Sequence, residues 1–254
     1  MTTPSGIGWR LAVRAASTVT LAALLAGAAR TLSLTAVVAG AARAAEKPTG
    51  VPAAAASTVH TADEALARLI EGNDRFMDGE TTHGSHPAPR RIEAAKAQMP
   101  FATILCCDDS RVPPEVAFDR GLGDLFVVRT AGHVVDDAVL GSLEFGAREL
   151  HIPLLVVMGH ERCSTVKTVR DLVTRGGQTP AEMARVVKSV RPAIVKTRHT
   201  KGDGLDAAVR AHVELTVERL RKTPSLAGLV AQGRLKIVGA RYDLDTGGVE
   251  VIVP

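Results

Sequence analysis

Behind Thr61 the apolar residues recur at helical spacing: Ala65, Leu66, Leu69 and Ile70, then Asn73 and Phe76. This predicts a helix, opened by a capping box of Thr61 and Glu64 and stopped by Gly79. A loop follows over 83–90, then a short helix over 91–98. Phe101 to Cys106 is a continuous apolar run, as in a strand buried on both faces. Leu125–Val128 and Ile152–Met158 repeat the pattern, Leu235–Val238 gives a fourth strand, and Gly248–Val253 alternates like an edge strand. Between them lie an amphipathic helix over 134–150 and helical patterns over most of 165–222, broken by a loop at 199–204. Strands alternating with helices predict an α/β fold. Its central sheet is expected to be mostly parallel, about four strands plus an edge strand, with helices on both faces.

Residues 1–45 follow a different pattern. Arg10 and Arg14 precede an apolar run from Ala15 to Ala29; a second run, Leu32–Ala42, ends in Ala42-Arg43-Ala44. This matches a secretory signal peptide, and the longest apolar run falls short of the roughly 20 residues of a membrane span. The protein is therefore expected to be exported, to a secreted or cell-envelope location, and to keep no membrane span after processing. The alternative is an N-terminal membrane anchor. Residues 46–59 read as a linker, and 60–254 as one domain.

Charge changes the picture little. The formal net charge is +4, and it resides in the leader, where Arg10, Arg14, Arg30 and Arg43 face no acid. The remainder is balanced, so no basic footprint for nucleic acid is expected. Aromatics make up 3% of the chain, too few for stacking platforms on single strands.

The candidate chemistry sits at strand ends. Three cysteines do not form a disulfide scaffold. Cys106 and Cys107 end the first strand, and His160 and Cys163 follow the third. Carboxyl ends of parallel strands are where open α/β sheets bind ligands. Cys107, His160 and Cys163 can form a Cys₂His set, a known catalytic zinc arrangement with one open position. A Cys107–Cys163 disulfide is the competing reading, and Cys106 reads as a small buried side chain. Asp109 and Arg111 lie just beyond Cys107; an Asp clamped by Arg stays ionised and can orient an oxygen on a metal. There is no G-x-G-x-x-G between strand and helix, which excludes dinucleotide binding on that motif.

The segments Cys107-Asp108-Asp109-Ser110-Arg111 and Gly159-His160-Glu161-Arg162-Cys163 resemble the β-class carbonic anhydrases. So do Gly72–Phe76, Gly123–Arg129, Ser142–Phe145 and Val238–Leu244, so that the likeness runs from about residue 64 to the C-terminus. The resemblance implies one Zn2+ per subunit on Cys107, His160 and Cys163. It implies a catalytic dyad of Asp109 and Arg111, and hydration of carbon dioxide by zinc-bound hydroxide. Activity should climb from neutral to alkaline pH, because two thiolates make the ion a weaker acid. Gln98, Phe126, Ala131 and Phe145 fall at the family's substrate-pocket positions. Gln98 and the absence of any Trp outside the leader point to the plant-type open site. The family's pocket is shared across a dimer, so a homodimer or higher even oligomer is implied. His133 is a candidate proton shuttle, with a structural histidine as the alternative. Two other functions stay open: hydrolysis of carbon disulfide or carbonyl sulfide on the same site, and non-catalytic binding of zinc or bicarbonate. This sequence departs from the family pattern at Phe145, where a tyrosine is usual, and at Thr130, His133 and Ser164.

Overall fold

The computed structural model describes residues 61–82, 88–176 and 178–254. The leader, the linker and most of the 83–90 loop lie outside them. Five strands form one sheet in the order β2-β1-β3-β4-β5: β1 Ala102–Cys107, β2 Leu125–Thr130, β3 Leu154–His160, β4 Lys236–Tyr242 and β5 Val249–Val253. The first four are parallel, and β5 returns antiparallel along β4. The fold class and the edge strand are as the sequence predicts.

Among the described residues eight α-helices surround the sheet: α1 Ala62–Met77, α2 Ala88–Ala94, α3 Pro114–Ala117, α4 Asp137–Arg148, α5 Ser164–Arg175, α6 Ala184–Thr197, α7 Gly204–Lys222 and α8 Pro224–Ala231. Helix α1 starts on the expected capping box: Glu64 N–H donates to Thr61 Oγ1 at 3.2 Å and Thr61 N–H to Glu64 Oε2 at 3.0 Å. On one face Leu69 of α1 and Phe118 behind α3 bury against Ile104, Met158 and Val238. On the other, Leu143 of α4, Val213, Val217 and Leu220 of α7 and Leu226 of α8 cover Leu105, Val157 and Ile237. Burying each such aliphatic side chain stabilises the fold by about 1.5–3 kcal/mol. A third cluster, from α5, α6 and α7, packs around Cys107 and Cys163.

Several boundaries differ from the sequence reading. Helix α4 starts at Asp137, not Val134, because the Asp136 carboxylate caps it by accepting from Val139 N–H at 2.9 Å. Helix α2 spans Ala88–Ala94 instead of 91–98; Pro89 is tolerated in its first turn, and residues 95 and 96 continue only as turns. Strand β2 is half-buried, not covered on both faces, because it forms one edge of the sheet.

The chain leaves β1 for β2 on one side and then crosses to β3 on the other. Strand order therefore reverses at β1. The crevice beyond the carboxyl ends of β1 and β3 is the topological switch point at which such sheets bind ligands.

Candidate metal centre

That crevice receives all three candidate ligands. Cys107 is the last residue of β1, His160 the last of β3, and Cys163 the N-cap of α5. All are at most 2% exposed. One ligand atom from each lies within 4.8 Å of the others. The two sulfurs are 3.9 Å apart. Sulfurs each about 2.3 Å from a shared tetrahedral ion stand about 3.8 Å apart, so the spacing suits zinc. The cysteines are free thiols, at a separation nearly double the roughly 2.05 Å of a disulfide bond. The disulfide reading is thereby set aside.

The imidazole is oriented for the same purpose. His160 Nδ1 lies 2.8 Å from the Glu161 carbonyl oxygen and so carries the proton, leaving a lone pair on Nε2. That Nε2 is buried and has no hydrogen-bond partner. An unpartnered buried acceptor costs about 1–3 kcal/mol, and a cation at the centre of the cluster would satisfy it. A carbonyl holding the remote nitrogen of a histidine is the usual outer-shell arrangement around metals.

One of the two thiols is already biased toward ionisation. The hydrogen bond from Cys163 drives the Cys107 thiol well below its ordinary range, against the opposing effect of burial; the Gly132 and Asp109 N–H groups add to it. Cys163 keeps the shared proton and moves the other way. A divalent cation would take that proton's place. Cys106 points to the other face of the sheet, in the apolar cluster with Ile104 and Met158, where burial pushes its thiol up to about 12. It is the inert core side chain that the sequence suggests.

The dyad stands beside the cluster. Asp109 accepts from Arg111 three times: backbone N–H at 3.0 Å, Nε at 2.9 Å and Nη2 at 2.7 Å. These bonds hold its carboxyl far below the usual carboxylate range. Asp109 Oδ2 is 3.8 Å from His160 Nε2, so the carboxylate faces the space that the ligands enclose. Arg129, which sequence reasoning passed over, ties the loop down. Its Nε donates to the Cys107 carbonyl at 3.1 Å and its Nη2 to the Asp109 carbonyl at 2.6 Å.

Comparison with known proteins follows the same lines. The family model described as carbonic anhydrase matches residues 102–249. The chain is 42% identical over 185 residues to the carbonic anhydrase of Mycolicibacterium smegmatis, covering 72% of this chain and 89% of that protein.

The chain belongs to the carbonic anhydrase family.

It is also 41% identical over 180 residues to carbonic anhydrase 2 of Mycobacterium tuberculosis, covering 70% of this chain and 87% of the relative. Among solved structures it resembles the β-carbonic anhydrase CcaA, with a TM-score of 0.59 and 25% identity over 74% of this chain and 99% of that one. Two tetrameric β-carbonic anhydrases of Sordaria macrospora share the fold, with a TM-score of 0.60 at 17% identity, covering 74% of this chain and 96% of the neighbour. These likenesses place the chain in the β class.

The expected pocket residues of this family member are not gathered at the cluster within one chain. Ala131 is, since it adjoins Gly132 beside Cys107. Phe126 pairs with Thr103 on β1, whereas Cys107 pairs with Thr130. Four residues of strand are about 13 Å, so Phe126 lies near the opposite end. Phe145 of α4 contacts Phe126 there, with ring centroids 6.4 Å apart. Phe145 is 46% exposed, and Gln98, which precedes β1, is also exposed.

His133 departs from the shuttle reading. It is 1% exposed, and its ring stacks on that of His212 with centroids 4.3 Å apart. Burial pushes its pKa well down, so it neither meets solvent nor readily takes up a second proton at neutral pH. His212, 52 residues beyond His160, has no sequence signal that separates it from any helix residue.

Proposed function

We propose that the protein hydrates carbon dioxide reversibly to bicarbonate and a proton, using one zinc ion held by Cys107, His160 and Cys163. The observation that carries this reading is the convergence of two thiols and an unpartnered imidazole nitrogen beside a carboxylate clamped by arginine. When bound, zinc would supply a Lewis acid that ionises water at neutral to alkaline pH. The chain does the rest. Asp109, ionised and paired with Arg111, can accept a hydrogen bond but not donate one. It therefore selects an oxygen that still bears a hydrogen and turns that oxygen's free lone pair toward the substrate carbon. Arg129 fixes the loop that carries Asp109, and the Gly132 N–H holds Cys107. With Asp109 engaged by Arg111, the arrangement is the open, plant-type one. Stopped-flow assay of carbon dioxide hydration tests the function: activity should climb from neutral to alkaline pH, vanish on chelation and return with zinc. A rate indifferent to chelation would contradict it.

The apolar wall of the pocket is contributed by a second copy in this reading. Phe126 and Phe145 lie at the far end of the strands from their own Cys107, and Phe145 is exposed. A homodimer can bring them to the partner's cluster. Phe145→Glu is expected to shift sedimentation toward monomer and to lower hydration with it. A fully active monomer would overturn the shared pocket. Export with removal of the leader is supported by the pattern of residues 1–45 alone; an intact leader on the mature protein would favour the N-terminal anchor instead.

A further inference from the structure

Gly132 is gripped on both sides of its Cα. Its N–H donates to Cys107 Sγ at 3.4 Å, and its carbonyl oxygen lies 3.0 Å from His212 Nε2. The carbonyl can only accept, so the proton is on Nε2 and His212 is the donor. The turn that carries Gly132 is not one that the backbone adopts freely. Gly132 has φ 64° and ψ 31°, and the next residue, His133, has φ 45°, uncommon for a side-chain-bearing residue. A Cβ at residue 132 would meet Thr165 Cγ2 at 3.0 Å. Thr130 Oγ1 closes the loop on the Val134 carbonyl at 2.9 Å. The N–H lies in the peptide plane before the Gly132 Cα and the carbonyl in the plane after it, joined through the φ and ψ of a residue with no side chain to restrict them. By holding the carbonyl, His212 limits how far those angles, and with them the N–H, can turn.

His212 can do so because α7 lies unusually close to β3. A Cβ on Gly159, the residue before His160, would come within 2.7 Å of Val213 and 2.9 Å of Val209. Glycine there lets α7 settle onto the strand that ends in the metal-facing histidine, with His212 turned toward the Gly132 loop. His212 is 2% exposed, its neutral form is favoured by burial, and the stacked ring of His133 fixes its plane.

We infer that His212 is a positioning residue for the metal centre: through Gly132 it fixes an N–H onto the Cys107 sulfur and thereby limits how much charge that thiolate gives to a bound ion. The inference rests on the ligand set proposed above. Outer-shell hydrogen bonds of this kind tune a metal's acidity and affinity, and this one comes from a helix that supplies no ligand.

The test is the near-ultraviolet thiolate-to-metal absorption of the cobalt(II)-substituted protein. Wild-type protein should show the band; its absence would defeat the ligand set itself. In His212→Leu the sulfur loses its oriented donor and becomes more electron-rich, so the band should move to lower energy. In His212→Gln, whose side-chain amide can donate to the same carbonyl, it should return toward the wild-type position. A wild-type band left unmoved in a folded His212→Leu protein would overturn the inference while leaving the ligands standing. Should the leucine variant not fold, nitrogen-15 NMR of wild-type protein still decides. The proton is expected on Nε2 of His212, and a proton on Nδ1 alone would refute the grip on Gly132.

Discussion

Cys163→Ser is expected to remove both the metal and the hydration activity while leaving the fold in place. Cys163 caps α5 with no side-chain hydrogen bond to the helix, so its capping geometry does not depend on sulfur. It is 2% exposed and packs among Val166, Val169 and Val190. Serine is slightly smaller there, and a core loses little by so small a change. The metal loses much more. A serine hydroxyl stays protonated near neutral pH, and the set falls to one thiolate and one imidazole. Outer-shell changes alone cost roughly 10–100-fold in metal affinity, and loss of a direct ligand should exceed that. Plasma mass spectrometry of the purified variant should find it nearly metal-free, with a circular dichroism spectrum like that of wild type. A serine variant that kept a full complement of zinc and its rate would remove Cys163 from the site.

Asp109→Asn should do the opposite to the metal and the same to the rate. The substitution keeps size and shape, and Asp109 is not among the three converging ligand groups. Zinc content should therefore be unchanged. What disappears is a carboxylate held by three donations from Arg111. Asparagine has a single acceptor oxygen, and its amide would face the guanidinium donor to donor. It can also donate a hydrogen bond where only acceptance selects the reactive oxygen. Loss of a positioned group that handles a proton typically costs about 10²–10⁴-fold, and that is the expected drop in hydration. A wild-type hydration rate in this variant would remove Asp109 from the chemistry.

The candidate ligands and the Asp109–Arg111 pair were legible because each sits within a few residues of a strand end whose apolar run announces itself. The fold followed from the same runs, but their ends did not. Strand β3 continues through Gly159 and His160, and β4 through Gly239 to Tyr242. Glycines and charged residues mask such continuations in sequence. The glycines are there so that α7 can approach, with Val213 within 2.7 Å of a Cβ on either Gly159 or Gly239. Arg241 is admitted because Asp206, Asp243 and Glu161 surround its guanidinium. Helices α3 and α8 were passed over although each begins with proline in its first turn, a start signal in its own right. Arg129 and His212 were illegible for a deeper reason. Their partners are backbone carbonyls 22 and 80 residues away, and a carbonyl leaves no mark in an amino-acid sequence. Phe126 and Phe145, expected at the family's pocket positions, lie far from their own chain's cluster, and a family pattern says nothing of which copy of a chain would supply a residue.

X-ray absorption at the zinc edge of the purified protein tests the central claim most directly. One zinc per chain, with two sulfur neighbours at about 2.3 Å and two lighter nitrogen or oxygen neighbours at about 2.0–2.1 Å, is the expected result. An ion with no sulfur in its shell, or with only one, would contradict it.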